Sequence, residues 1–124
     1  MDMNTMKIGI ATFDEIRART IAIARGEYKP KPGDPKIWFT SLKSAAELLS
    51  PDNLAVLEKL SQAQPASVAE AARIVGRRPN NLSRTLNQFA RYGIVEMKPA
   101  GSGRIKRPVV KATRFEVGGT IKAA

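Results

Sequence analysis

Residues 67–92, SVAEAARIVGRRPNNLSRTLNQFARY, restrict the fold more than any other stretch of the chain. Apolar positions follow a helical period twice, and a glycine and a proline separate the two runs. Val68, Ala71, Ala72 and Val75 recur at i, i+3, i+4 and i+7, which predicts a helix with one apolar stripe. Ser67 is placed to cap it, and Glu70 stands at the capping-box position. Gly76 is placed to end it, because glycine enters the left-handed region at little cost. Arg77, Arg78 and Pro79 make the turn, and Pro79 suits the first turn of a second helix. In that second helix Leu82, Leu86 and Phe89 fall on one face. Asn80, Ser83, Arg84, Asn87 and Arg91 fall about half a turn away.

The polar face has a definite chemistry. Asn can pair with adenine N6 and N7, Arg with guanine O6 and N7, and Ser with a base or a phosphate. No acidic residue lies between Gly76 and Val95. A helix lying between two rows of phosphates could not easily tolerate one. The plainer alternative is a helical hairpin with a solvated polar face. Capping signals, a short turn and base-reading residue types coincide here, and together they favour the nucleic-acid reading.

Charge is distributed in the same sense. The net charge is +10, yet residues 1–66 carry 9 Lys+Arg against 8 Asp+Glu, and residues 67–124 carry 12 against 3. A basic surface concentrated on the second half attracts polyanions and releases their counterions. Membrane ranks low as a partner, since no basic helix with bulky apolar residues is present. No run approaches the ~20 apolar residues of a membrane helix. The N-terminus lacks an apolar signal core, so a cytoplasmic location is expected. The chain has neither Cys nor His. That excludes disulfides and thiolate metal sites, and removes the usual general base. No carboxylate pair or activated Lys replaces them, so no enzyme, catalytic residue, metal or cofactor is expected.

The remaining chain divides around that stretch. Residues 6–11 read as a short strand, and Thr12 with Glu15 as a capping box opening a helix to about Arg25. Phe13, Ile16, Ile21 and Ile23 spread over a broad apolar face. It either packs on its own domain or receives a partner protein. Residues 27–37 hold three prolines and read as an extended linker. Lys29, Lys31 and Lys36 there are read as solvated, and Trp38 and Phe39 as docking the linker onto the next unit. Leu42, Ala45, Ala46 and Leu49 predict a helix after Ser41. Ser50-Pro51 opens another, lined inside by Leu54, Leu57 and Leu60 with Val56 beside them. After the stop at Gly93, residues 94–98 and 104–111 read as strands around a flexible tip at 99–103, and Pro108 suits a sheet edge. Arg104, Lys106 and Arg107 would then follow the backbone or minor groove of a duplex. The alternative is a solvated basic hairpin that blunts a sheet edge. Residues 114–117 suggest one more strand.

Residues 42–110 resemble the MarR-like winged helix-turn-helix regulators, through SPDNLAVLEKL, SVAEAARIVGRRPNNLSRTLNQFARYGIVE and the terminal RPVV. Over almost the whole chain, KIGIATFDEIRARTIAIARGE, the proline linker with IWF and the compact hairpin are similar to the small TumA-type antitoxins of toxin–antitoxin systems. The resemblance implies a homodimer on an inverted repeat, with the helix around Asn80, Asn81, Ser83, Arg84 and Asn87 in the major groove. It also implies repression of the chain's own operon and binding of a toxin. Larger MarR proteins dimerise through long terminal helices and hold a ligand nearby. This chain has one short arm and no evident ligand pocket, so the dimer contact stays unassigned.

The expected fold is mainly α with a small β wing, a winged helix-turn-helix with an N-terminal helical arm. Residues 1–37 form the arm, 38–117 the DNA-binding domain and 118–124 a flexible tail. The expected function is sequence-specific binding of double-stranded DNA. Arg77, Arg78, Asn80, Asn81, Ser83, Arg84, Asn87, Arg91, Arg104, Lys106 and Arg107 are its candidate contacts. Phe13, Ile16, Ile21 and Ile23 are candidates for a partner protein, and a module whose main task is neutralising that partner is the rival reading.

Overall fold

Short amphipathic helices with strong local stop signals form the centre of the molecule. A computed structural model describes residues 5–101 and 103–118. Residues 1–4 of the arm, Ser102 of the hairpin tip and residues 119–124 of the tail lie outside the described residues. The order is β1 (Thr5–Ile10), α1 (Phe13–Ala24), β2 (Ile37–Phe39), α2 (Leu42–Leu48), α3 (Pro51–Ala63), α4 (Val68–Val75), α5 (Pro79–Arg91), β3 (Val95–Pro99), β4 (Lys106–Val110) and β5 (Arg114–Val117). It is a helix-rich mixed α/β fold, with five helices and five strands among the described residues. No described helix is long and apolar enough to cross a membrane.

Local chemistry accounts for most helix ends. Thr12 Oγ1 accepts from the Glu15 N–H while the Glu15 carboxylate accepts from the Thr12 N–H, a complete capping box. The expected box at Ser67 forms only by half. Ser67 accepts from Glu70 N–H, but the Glu70 carboxylate reaches past it to the Ala66 N–H. Gly76 ends α4 at φ 72°, in the left-handed region that glycine enters at little cost.

The core lies where α3, α4 and α5 meet the β3–β4 hairpin. Leu57, Leu60, Leu82, Leu86 and Phe89 are no more than 1% exposed, and burying each such side chain contributes about 1.5–3 kcal/mol. Ile94 and Val95 continue this core into the hairpin. In α2 the inward positions are Ala45 and Leu48, whereas Leu42 and Ala46, expected inside, are exposed. The helix is only two turns long, and the residues that face β2 decide its orientation.

The strands expected at residues 6–11 and 114–117 are present as β1 and β5, whereas β2 and the pairing of all three are not signalled by the sequence. A second sheet has the order β2-β1-β5, all parallel. β1, α1 and β2 form a crossover unit, and β5 joins the free side of β1. The N-terminal strand is therefore the centre of a sheet built from both ends of the chain. β2 also runs across the boundary drawn at residues 37 and 38.

α1 has no buried residue. It lies over the sheet face that carries Trp38, where the Arg19 guanidinium stacks 5.3 Å from the ring centre. Gly9 sits beneath that ring, and a Cβ there would stand 2.5 Å from Trp38 Cζ3. The proline-rich loop is held, not free. The Asp34 carboxylate accepts from Tyr28 Oη, from the Lys31 N–H and from Arg19. Those donors keep the Asp34 carboxyl below its ordinary value, the Tyr28 hydroxyl foremost and the Lys31 N–H next. The same bond to Asp34 raises the Tyr28 phenol.

Candidate nucleic-acid interface

The period of α5 divides it cleanly. Leu82, Leu86 and Phe89 are fully buried, while Asn80, Asn81, Arg84, Asn87 and Arg91 are exposed and Ser83 is half-buried. Three leucine and phenylalanine side chains locked into the core fix the helix's rotation, so the polar face has one orientation relative to the protein. Among the described residues none of the side chains of Asn80, Asn81, Ser83, Arg84 and Asn87 is hydrogen-bonded within the protein. Their donors and acceptors face solvent.

The turn into α5 consists of Gly76, Arg77 and Arg78. Arg78 is the N-cap and supplies no side-chain cap, and Pro79 follows at the first helical position. The N–H groups of the first turn are thus left without a side-chain acceptor. Arg77 differs from its neighbour. Its guanidinium donates to Asn53 Oδ1 at 3.1 Å, and Asn53 Nδ2 donates to the Leu48 carbonyl at 2.9 Å. Arg77 therefore clamps the turn to the start of α3, and Arg78 remains exposed. Arg91, at the far end of α5, lines a small recess with Ser44, Glu47 and Gln88, closed by Tyr92, whose ring stacks on Phe39 at 4.6 Å.

The hairpin pairs Val95 with Val110 and Pro99 with Lys106. Val95 and Pro108 are buried on its inner face, with Met97 and Val110 packed against the core. Arg107 stands on the outer face beside Lys98, and Lys106 and Arg107 are exposed. The returning strand begins at Lys106, so Arg104 and Ile105 belong to the tip and are exposed. The expected strand start at residue 104 is thus two residues early. One acidic residue lies among these cations. Glu96 is 3.8 Å from Lys98 and 3.5 Å from Lys111, which removes part of their charge from the outer face.

The partner candidates divide unequally. Phe13 is 67% exposed, Ile21 39% and Ile23 38%, while Ile16 is half-buried toward the proline-rich loop. The contacts that sequence reasoning missed are Asn53, which positions Arg77, and Glu96. Asn53 lies 24 residues from Arg77 and carries no local signal of the pairing.

No curated protein and no solved structure matches the chain. A family model, HVO_A0114, matches residues 48–117, which run from the end of α2 through α5 and the hairpin to β5. That match spans more than half of the sequence and contains the whole polar face of α5, and the chain belongs to the HVO_A0114 family.

Proposed function

We propose that the chain is a sequence-specific double-stranded DNA-binding regulator that uses α4 and α5 as a helix-turn-helix and the β3–β4 hairpin as a wing. The observation that carries this reading is the outward face of α5, where amides and guanidinium groups stand unbonded on a helix whose rotation is fixed by buried leucines. Arg84, Asn80 and Asn87 read base edges in the major groove. The open first turn of α5, next to Arg78, takes a backbone phosphate through N–H groups and the helix dipole. Arg104, Lys106 and Arg107 hold the hairpin against the phosphate backbone and set the register without reading sequence. Repression of its own operon, in the manner of the MarR-like and TumA-type proteins it resembles, is part of the same proposal.

The test is Arg84→Ala against Arg107→Ala on a selected binding site and on scrambled duplex. Arg84→Ala should cost on the order of 1–3 kcal/mol on the selected site and little on the scrambled one. If both duplexes lose equally, Arg84 does not read a base.

A second reading, docking of a toxin on α1, is favoured by the exposure of Phe13, Ile21 and Ile23 on a helix that buries nothing. Truncating residues 1–35 does not test it, because β1 is the central strand of a sheet. Serine at Phe13, Ile21 and Ile23 together does. Unchanged neutralisation of the neighbouring gene's product by that variant would remove α1 from the role.

A further inference from the structure

The β2-β1-β5 sheet stops at β5, and among the described residues no strand pairs the outer edge of β5. Natural edge strands are blunted by shortness, by proline, by a bulge or by charged side chains, which repel a like-charged neighbour. At the opposite edge, β2 is three residues long and follows Pro35. β5 has no proline, and its two charges, on Arg114 and Glu116, have opposite sign.

The direction of its backbone groups is determined. The Gly118 N–H donates to the Ile8 carbonyl at 2.7 Å, in the ladder that pairs Met6 with Phe115 and Ile8 with Val117. Strand groups alternate, so Arg114 and Glu116 turn their N–H and C=O toward β1. Phe115 and Val117 turn theirs outward. Phe115 can therefore exchange both hydrogen bonds with an antiparallel strand directly opposite.

We propose that this edge joins two copies of the chain, β5 against β5, about a twofold axis at Phe115. In that register Phe115 faces the partner subunit's Phe115, and Arg114 faces the partner subunit's Glu116 twice by symmetry. Both charged side chains are exposed on the same face of the strand. Sliding the strands one hydrogen-bonded step either way moves the axis to Arg114 or to Glu116 and sets that residue opposite its own copy, so like charges meet and both charge pairs are lost. The sequence of the strand is thus complementary to itself in one register.

The apolar surface beside the edge agrees. A groove of about 710 Å³ lies under β5, lined by Ile8, Leu42, Ala46, Leu49, Phe115 and Val117. Leu42 is 50% and Val117 49% exposed at its margin. The same axis sets Val117 opposite the partner subunit's Thr113, which also lines that groove, so each copy's Val117 covers the groove of the other. The proposal stands on the strand edge alone and does not require DNA binding.

The test is sedimentation of the full chain, without nucleic acid, over a concentration series. The unaltered chain should show a monomer–dimer equilibrium. Arg114→Glu and Glu116→Arg each place like charges opposite one another at two symmetric positions, and each should weaken association on the order of tenfold or more. An equimolar mixture of the two variants should associate as the unaltered chain does. In the mixed dimer the new carboxylate faces the new guanidinium, and the retained Glu116 faces the retained Arg114. A misfolded variant cannot imitate that rescue. Val117→Pro removes an outward N–H while leaving the ladder to β1, and it too should weaken association. A chain that stays monomeric, single variants that associate normally, or a mixture as weak as its components would each overturn the proposal. Because DNA is absent throughout, none of these results bears on the role of α5.

Discussion

Arg107→Ala on a single half-site duplex gives the most quantitative test of the DNA-binding reading. The exposed cations assigned to phosphates are Arg78, Arg91, Arg104, Lys106 and Arg107, and Arg84 is left out because it is given to a base edge. Arg77 is left out because Asn53 holds it, and Lys98 and Lys111 because Glu96 lies against them. Each phosphate neutralised contributes about −0.9 to the slope of log K against log salt, so five contacts give a slope of about −4.5 per chain. Raising salt fourfold, from about 50 to about 200 mM, should then lower affinity roughly five-hundredfold. Removing Arg107 should flatten the slope by about 0.9, and the advantage of the unaltered chain should shrink roughly three- to fourfold over the same salt range. Fluorescence anisotropy of a labelled duplex at five or six salt concentrations measures both slopes. The effect should be equal on selected and scrambled sequences, since Arg107 stands on the hairpin and not on α5. A slope near zero for the unaltered chain, or one that Arg107→Ala leaves unchanged, would refute the assignment of these cations to phosphates.

Two further predictions concern the sheet and the loop that position α1. Gly9→Ala should destabilise by about 1–3 kcal/mol through overpacking, because its Cβ meets the Trp38 ring at 2.5–2.9 Å and Arg19 blocks the ring's other side. Trp38 is the single tryptophan, so its emission in a urea titration reports the displacement directly; unaltered emission and midpoint would show that the ring has room to move. The Tyr28–Asp34 latch should hold over a window bounded on both sides. The lowered Asp34 carboxyl gives stability that is complete above its ordinary value of 3.8 and lost as pH falls through the lower folded value. The raised Tyr28 phenol gives stability that is complete below its ordinary value of 10.0 and lost as pH rises through the higher folded value. Trp38 emission should therefore change in acid, and Asp34→Asn should abolish that acid step; identical profiles in the two proteins would exclude the latch as its cause.

The parts of the fold that could be read from sequence are those whose signals are local. Ser67, Gly76 and Pro79 mark the ends of α4 and α5 through the backbone of their immediate neighbours. Leu82, Leu86 and Phe89 mark a buried face by period alone, and all three are buried. Thr12 and Glu15 form their box three residues apart. What could not be read is pairing at a distance. β1, β2 and β5 are six, three and four residues long, and alternation over so few positions does not say which strand lies beside which. β2 was hidden further by the prolines before it, which signal extended chain whether or not a neighbour is present. The loop at residues 27–36 looked free because its anchors, Arg19, Tyr28 and Asp34, meet only once α1 has folded back over it. On the candidate interface, exposure of Asn80, Arg84 and Asn87 follows from helical period, whereas the withdrawal of Arg77 depends on where α3 begins.

The central position of β1 changes how the N-terminal region can be studied. Sequence alone describes an arm and a linker separate from the helices that follow. In the fold, β1 carries ladders to both β2 and β5, and its Ile8 is part of the same buried cluster as Leu57 and Phe89. The family match begins at residue 48 and so includes β5 but not the strand that β5 pairs with. Removing residues 1–35 would leave β5 without its ladder and would uncover Phe39 and Phe115, so any loss of function could follow from the sheet alone. Point changes on the outer side of α1 avoid this, because Phe13, Ile21 and Ile23 contribute nothing to the buried core. A loss of partner binding in such a variant, with its melting temperature unchanged, would belong to the α1 surface itself.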